Sequence, residues 1–235
     1  MDKYNNLRPS LIIAPRRCIL AALLASLLGA SGCQLVFPVW KYRYRLSAEV
    51  ERNGKIYRGS GVIEVVRDKG LTGIGARARG EAVAIDIPDS ETVFVLLRGM
   101  RSGSNWPYSV PHRVFARQLG SKNMVSEDAI GKLQNMVGAK SQVPREYYPI
   151  VVRFCDMRKP ESVKVLEEGC DPDKIDDVIN VVNMEIEITK DPVTRGIRRV
   201  LPWLDGKPEA ALNPGHSATD RTLAATLHQS DFRRD

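Results

Sequence analysis

Lys41-Tyr42-Arg43-Tyr44-Arg45-Leu46-Ser47-Ala48-Glu49-Val50 alternates without a break, with Tyr42, Tyr44, Leu46, Ala48 and Val50 on one side and the polar residues on the other. Successive strand residues point to opposite faces, so this stretch predicts a strand with one apolar and one charged face. Asn53-Gly54 follows, a pair that accepts the positive φ angles of a type I′ turn, and Lys55 to Arg67 runs back through Val62-Ile63-Glu64-Val65-Val66. A hairpin therefore opens the folded region, and the fold grows from it as antiparallel sheet.

Further along, the glycine-rich stretch Gly70 to Gly80 reads as a flexible loop, and Ala82 to Ile87, Pro88-Asp89-Ser90-Glu91 and Thr92 to Leu97 read as strand, turn and strand. Four strands with short links imply a meander, because parallel neighbours need long crossovers. A short helix is expected through His112 to Leu119. Ser126 is placed to cap a second one, with Glu127 and Asp128 in its first turn and Ile130, Leu133 and Val137 at helical spacing. Tyr148 to Phe154 reads as an apolar strand and Ser162 to Leu166 as a short edge strand. Asp171-Pro172-Asp173 suits a helix start, with Ile175, Val178 and Ile179 as the apolar face. Val182, Met184, Ile186 and Ile188 then alternate with polar residues as another half-buried strand. Beyond Asp205 apolar content falls, and residues 205–235 read as a loosely ordered tail with a turn of helix near Leu223 to Leu227. The expected fold is α+β: one domain over residues 41–204, a mainly antiparallel sheet of about six or seven strands with two or three helices packed on it.

Upstream of the hairpin lies an address. Arg16 and Arg17 precede the apolar run Ile19 to Leu28, and Gly29-Ala30-Ser31-Gly32 leads into Cys33. This is the order of a signal peptide, and the run is too short for the roughly 20 apolar residues that span a bilayer. Ala30-Ser31-Gly32-Cys33 resembles the lipobox of bacterial lipoproteins, with Ala30 in place of the usual Leu. That resemblance implies a signal peptide over residues 1–32, a diacylglyceryl and fatty acyl (palmitate) anchor on Cys33, and a lipidated linker over 33–40; a soluble secreted form is the alternative. Gln34 instead of Asp after the cysteine implies sorting to the outer membrane. Arg16-Arg17 with Pro15 before it is a poor twin-arginine signal.

With Cys18 in the signal and Cys33 lipidated, Cys155 and Cys170 remain from the four cysteines. In an oxidising envelope a leftover pair is read as a disulfide; two buried thiols are the alternative, and a metal site lacks any CxxC or nearby His. The full chain carries 35 basic and 28 acidic residues, a net charge of +7. Residues 33–235 keep 31 basic against 27 acidic, a balance of +4 too mild to mark a nucleic-acid binder.

No HExxH, GxSxG, Walker loop or SxxK occurs. Gly73-Ile74-Gly75 with Gly80 has the wrong spacing for a dinucleotide loop. His112 is the one histidine in the expected domain, so a hydrolase would need it as base with Ser109 or a remote serine. The acidic group from Glu167 to Asp177 fails the EF-hand pattern at Ile175 and Asp176. No catalytic residue, metal or cofactor is assigned. Two surfaces stand out instead. Lys41, Arg43 and Arg45 begin eight residues after Cys33 and are candidates to face the membrane, against the alternative of a solvated sheet face balanced by Glu49, Glu51 and Glu64. Arg195, Arg198 and Arg199 beside Leu201-Pro202-Trp203-Leu204 form a candidate partner surface, against the alternative that this segment folds back over a sheet.

Tyr42-Arg43-Tyr44-Arg45-Leu46, Gly59-Ser60-Gly61-Val62-Ile63-Glu64-Val65, Glu185 to Thr194, Gly196-Ile197 and Leu201 to Leu204 resemble a family of proteobacterial envelope lipoproteins. The resemblance covers roughly residues 33–204, fits least over 100–145, and carries no assigned activity. The expectation is thus a cell-envelope protein, lipid-anchored at the periplasmic face of the outer membrane, that binds or scaffolds an envelope partner. An envelope hydrolase with a dispersed site and a small-ligand capture protein are the alternatives.

Overall fold

The structure is a computed structural model and describes residues 38–88, 91–120, 126–168, 170, 178–205, 208–213, 215, 217, 219 and 221–235. The opening hairpin forms as expected. β1 (Val39–Arg52) pairs with β2 (Lys55–Gly70) from Val39 opposite Asp68 to Arg52 opposite Lys55. Asn53 at φ 51° and Gly54 at φ 74° make the turn between them. The strand begins at Val39, so the last residues assigned to the linker, Val39 and Trp40, belong to the sheet.

β3 (Gly73–Glu81) returns along β2, which corrects the loop reading of Gly70 to Gly80. Glycine lowers strand propensity, but here Ile74, Ala76 and Ala78 pair with Lys69, Arg67 and Val65, and the turn shrinks to Leu71-Thr72. The chain then leaves for a second sheet: β4 (Val83–Asp86) pairs with β5 (Thr92–Gly99). The helical stretch follows: α1 (Trp106–Val114), α2 (Ala116–Leu119) and α3 (Glu127–Asn135). β6 (Lys140–Gln142), β7 (Pro149–Phe154), β8 (Val163–Val165), β9 (Ile179–Thr189), the one-turn α4 (Leu223–Thr226) and β10 (Arg233–Arg234) complete the described strands and α-helices. Six strands lie in the order β10-β3-β2-β1-β9-β6 and four in the order β4-β5-β7-β8, every pair antiparallel. The α+β class and the antiparallel pairing hold, with ten strands divided between two sheets where one smaller sheet was expected.

Glycines set the crossing of the two sheets. A Cβ on Gly59 of β2 would sit 2.6 Å from the Ala84 carbonyl oxygen and 2.8 Å from Ile85 Cγ1, so only a bare backbone lets β4 approach this closely. The apolar face of β1 packs in one core with β9, β4, β5 and the helices, including Ile85, Val95, Trp106 and Leu133. The other face of the smaller sheet forms a second core through Phe94, Leu96, Val152 and Phe154. The unbroken apolar run Val93 to Leu97 follows from this, since β5 is covered on both faces.

The second core corrects the loose-tail reading of residues 205–235. Leu212, Leu227 and Phe232 are buried in it, β10 extends β3 at Glu81 and Gly80, and Phe232 packs on Phe94, Phe154 and Trp203. A low average of apolar residues conceals a few, each placed to cover one exposed sheet face.

Two helix readings shift as well. Ser126 does cap α3, accepting the Ala129 N–H at 3.2 Å, but the helix ends at Asn135 and Val137 is exposed beyond it. The helix expected at His112 begins earlier, at Trp106, with Pro107 in its first turn where a missing N–H costs nothing. Residues 171–177 lie outside the described residues, while Ile179 starts β9 instead of lying on a helix. In β9, Ala48 faces Met184 and Val50 faces Val181, so an extra residue turns Val182 outward and brings Val181 and Ile179 into phase with the core.

Candidate functional site

The outer face of β1 holds the basic row. Glu64, directly across from Arg43 on β2, is buried at 3% side-chain exposure and receives Arg43 Nε at 2.8 Å and Lys41 Nζ at 3.1 Å. Arg79 of β3 adds a third cation at 3.9 Å. Burial works to raise the Glu64 pKa, but the Arg43 and Lys41 hydrogen bonds and charges outweigh it and hold the carboxyl below its ordinary value. Arg45 is engaged by Asp191 and lies 3.8 Å from Glu187. Of the three acids expected to balance the row, Glu64 does so, while Glu49 pairs with Arg58 at 2.6 Å. Where β1 and β9 meet the end of α3, a cleft of about 380 Å³ opens beside Lys41, Arg43 and Lys190.

Trp203 serves its own chain: its Nε1 donates to the Met157 carbonyl at 2.9 Å, and its ring meets those of Phe154 and Phe232 at centroid distances of 5.6 Å. Leu201 and Leu204 are buried, so the segment covers the smaller sheet. Arg195 pairs with Asp235 at 3.0 Å, and Arg198 and Arg199 are exposed. Trp203 is half-buried, while the three arginines are exposed.

His112 is buried, with Nε2 3.3 Å from the Tyr42 hydroxyl. Burial, then the charge of Arg67, lowers its pKa to about 4, and burial raises that of Tyr42. Arg67 itself is buried, donates to the Tyr108 carbonyl at 2.6 Å and stacks on the Tyr108 ring. Ser109 Oγ turns to the Trp106 carbonyl at 3.4 Å. Ser109 is therefore turned to the backbone of its own helix, and the polar cluster of Tyr42, His112, Arg67 and Tyr108 props α1 against β1 and β2.

Cys155 and Cys170 form a disulfide with Cα atoms 5.3 Å apart. It joins the end of β7 to the segment after β8. Nearby, Arg153 is 2% exposed and donates to Glu91 at 2.6 Å and to the Glu168 carbonyl at 2.9 Å. Among the described residues no group of three His, Cys, Asp or Glu is arranged to hold a metal.

Sequence reasoning missed a large concavity among the described residues. A groove of about 780 Å³ runs between the start of β9 at Ile179 to Val181 and the β7 and β8 residues Ile150, Val151 and Val165, and Arg101, Arg145, Glu146 and Glu167 also line it. A second pocket of about 220 Å³ shares Met100, Arg101, Glu146 and Tyr148 with it, and in that pocket Arg113 stacks on Tyr147 at 5.2 Å. Arg145-Glu146-Tyr147-Tyr148, paired charges beside paired tyrosines just ahead of a strand, was the available signal. No protein-family model, curated protein or solved structure matches the chain.

Proposed function

We propose that this is a lipid-anchored protein of the bacterial cell envelope, tethered through Cys33 at the periplasmic face of the outer membrane and acting by binding. The observation that carries the reading is the order of Arg16-Arg17, the apolar run, the small residues and Cys33, set six residues ahead of the first strand residue, Val39. The Cys155–Cys170 bridge supports an oxidising compartment. The groove beside β9 supports binding: it mixes apolar walls with charges of both signs, Arg101 and Arg145 with Glu146 and Glu167, and has the volume of a site for a small molecule or a short extended peptide.

The test is metabolic labelling with an alkyne palmitate in cells making the full chain or Cys33→Ala, followed by membrane fractionation and intact-mass analysis. Label and a diacylglyceryl mass on the wild type, lost in the variant, with outer-membrane fractionation of the former, is the expected result. A retained Met1 or a bare Cys33 thiol overturns it. Small-ligand capture is the second reading, favoured by the same groove, and is separated from partner binding by native mass spectrometry of material purified from the envelope.

A further inference from the structure

We propose that the cleft between β1, β9 and the end of α3 is a binding site for the headgroup of an anionic phospholipid, an inference that rests on the lipid-anchor reading. Lys41, Arg43 and Lys190 converge on this cleft of about 380 Å³, and no acidic residue lines it. Among the described residues the carboxylate paired with Lys41 and Arg43 is Glu64, which is buried beneath the row and shared with Arg79, so within this set one negative charge answers three positive ones. Lys190 has no acidic partner among the described residues. Gln134 at the end of α3 accepts the Lys41 N–H at 3.0 Å through Oε1, which leaves its amide nitrogen as a further donor at the cleft. Phosphate, with delocalised charge and several acceptor oxygens, matches this set of donors.

Position selects the source of that phosphate. Lys41 follows Cys33 by eight residues, at most about 28 Å of extended chain, so an acylated Cys33 keeps the cleft within reach of lipid headgroups. The same end of the sheet carries exposed apolar side chains. Val39 (63% exposed) begins β1, Leu71 (89%) tips the β2–β3 turn, and Val137 (46%) lines the cleft. Exposed apolar groups around a cationic cleft suit the boundary between headgroups and acyl chains, where free phosphate in solution offers the apolar groups no partner.

The test uses the full-length lipidated protein in nanodiscs containing phosphatidylcholine with either a photoactivatable phosphatidylglycerol or a photoactivatable phosphatidylcholine, the reactive group being in the headgroup. Crosslinks are mapped by mass spectrometry, and the Cys33 peptide is read in the same digest. Phosphatidylglycerol crosslinks at residues 41–43, 134–137 and 188–190 are expected, falling about fivefold in Lys190→Gln and further in Lys41→Gln/Lys190→Gln. Lys190 is in no ion pair among the described residues, so its variant keeps the fold, and unchanged thermal unfolding confirms that. Equal crosslinking by the two lipids, or yields unmoved by Lys190→Gln, overturns the proposal. A Cys33 peptide without diacylglycerol sinks the anchor reading separately, and flotation with phosphatidylglycerol vesicles, lost in Lys190→Gln, would then still support the cleft, while flotation insensitive to that change would refute it.

Discussion

Acidification should destabilise this protein through His112 before its carboxylates protonate. The imidazole is buried against Tyr42 with Arg67 close by, and its pKa falls from 6.5 to about 4 on folding. The unfolded chain therefore binds a proton at a pH where the native state does not. Stability from this group is fully present above pH 6.5, is lost as pH falls, and levels off below about pH 4. Each pH unit inside that window is worth about 1.4 kcal/mol, so lowering the pH from 7 to 5 should remove about 2 kcal/mol. Urea unfolding of the disulfide-intact protein at pH 7, 6 and 5, compared with His112→Gln, measures it. The variant lowers stability at pH 7 if Gln packs less well against Tyr42, but the pH slope between 7 and 5 should flatten. Equal slopes in the two proteins would refute the assignment, whatever the absolute stabilities.

Three further outcomes follow from the packing. Gly59→Val drives its side chain into the Ala84 carbonyl, a backbone atom that cannot turn away, and should cost about 3 kcal/mol in chemical denaturation, against a small effect for Ser60→Val on the same strand. Arg153→Met strands Glu91 in a mostly buried site and should cost about 3 kcal/mol; adding Glu91→Gln should recover more than 1 kcal/mol, and a double-mutant cycle with no coupling would show the pair to be inert. Replacing Cys155 and Cys170 together by Ala reopens a loop of 15 residues and should lower stability by about 3 kcal/mol, with reduction of the wild type producing a similar fall.

The hairpin at the centre of the larger sheet could be read directly, because strict alternation from Lys41 to Val50 and an Asn-Gly turn are local signals that tertiary packing reinforced. The same holds for Ser126 as a cap and for the Cys155–Cys170 pair. What escaped was non-local. The outward turn of Val182 depends on a bulge opposite Glu49 and Val50, and alternation read from β9 alone has no means of registering an inserted residue. Gly73 to Gly80 looked like loop because composition was weighed without the partner strand β2 that holds it. Phe232 stood among polar residues and Leu227 in a stretch long enough only for a single turn of helix, yet they cover the face that Phe94 and Phe154 would otherwise expose. The candidate sites divide in the same way. The basic row on β1 was legible, whereas Lys190, which joins it across the cleft, and the groove beside β9 required the fold.

β1 lies between β2 and β9, bonded on both sides, and it is the first strand after residue 37. A pull on the chain ahead of Pro38 along the strand axis must slide β1 past two neighbours at once, loading both ladders in shear instead of peeling their bonds one at a time. Tension delivered from that direction would meet a strand held by two ladders, whose bonds would have to give together.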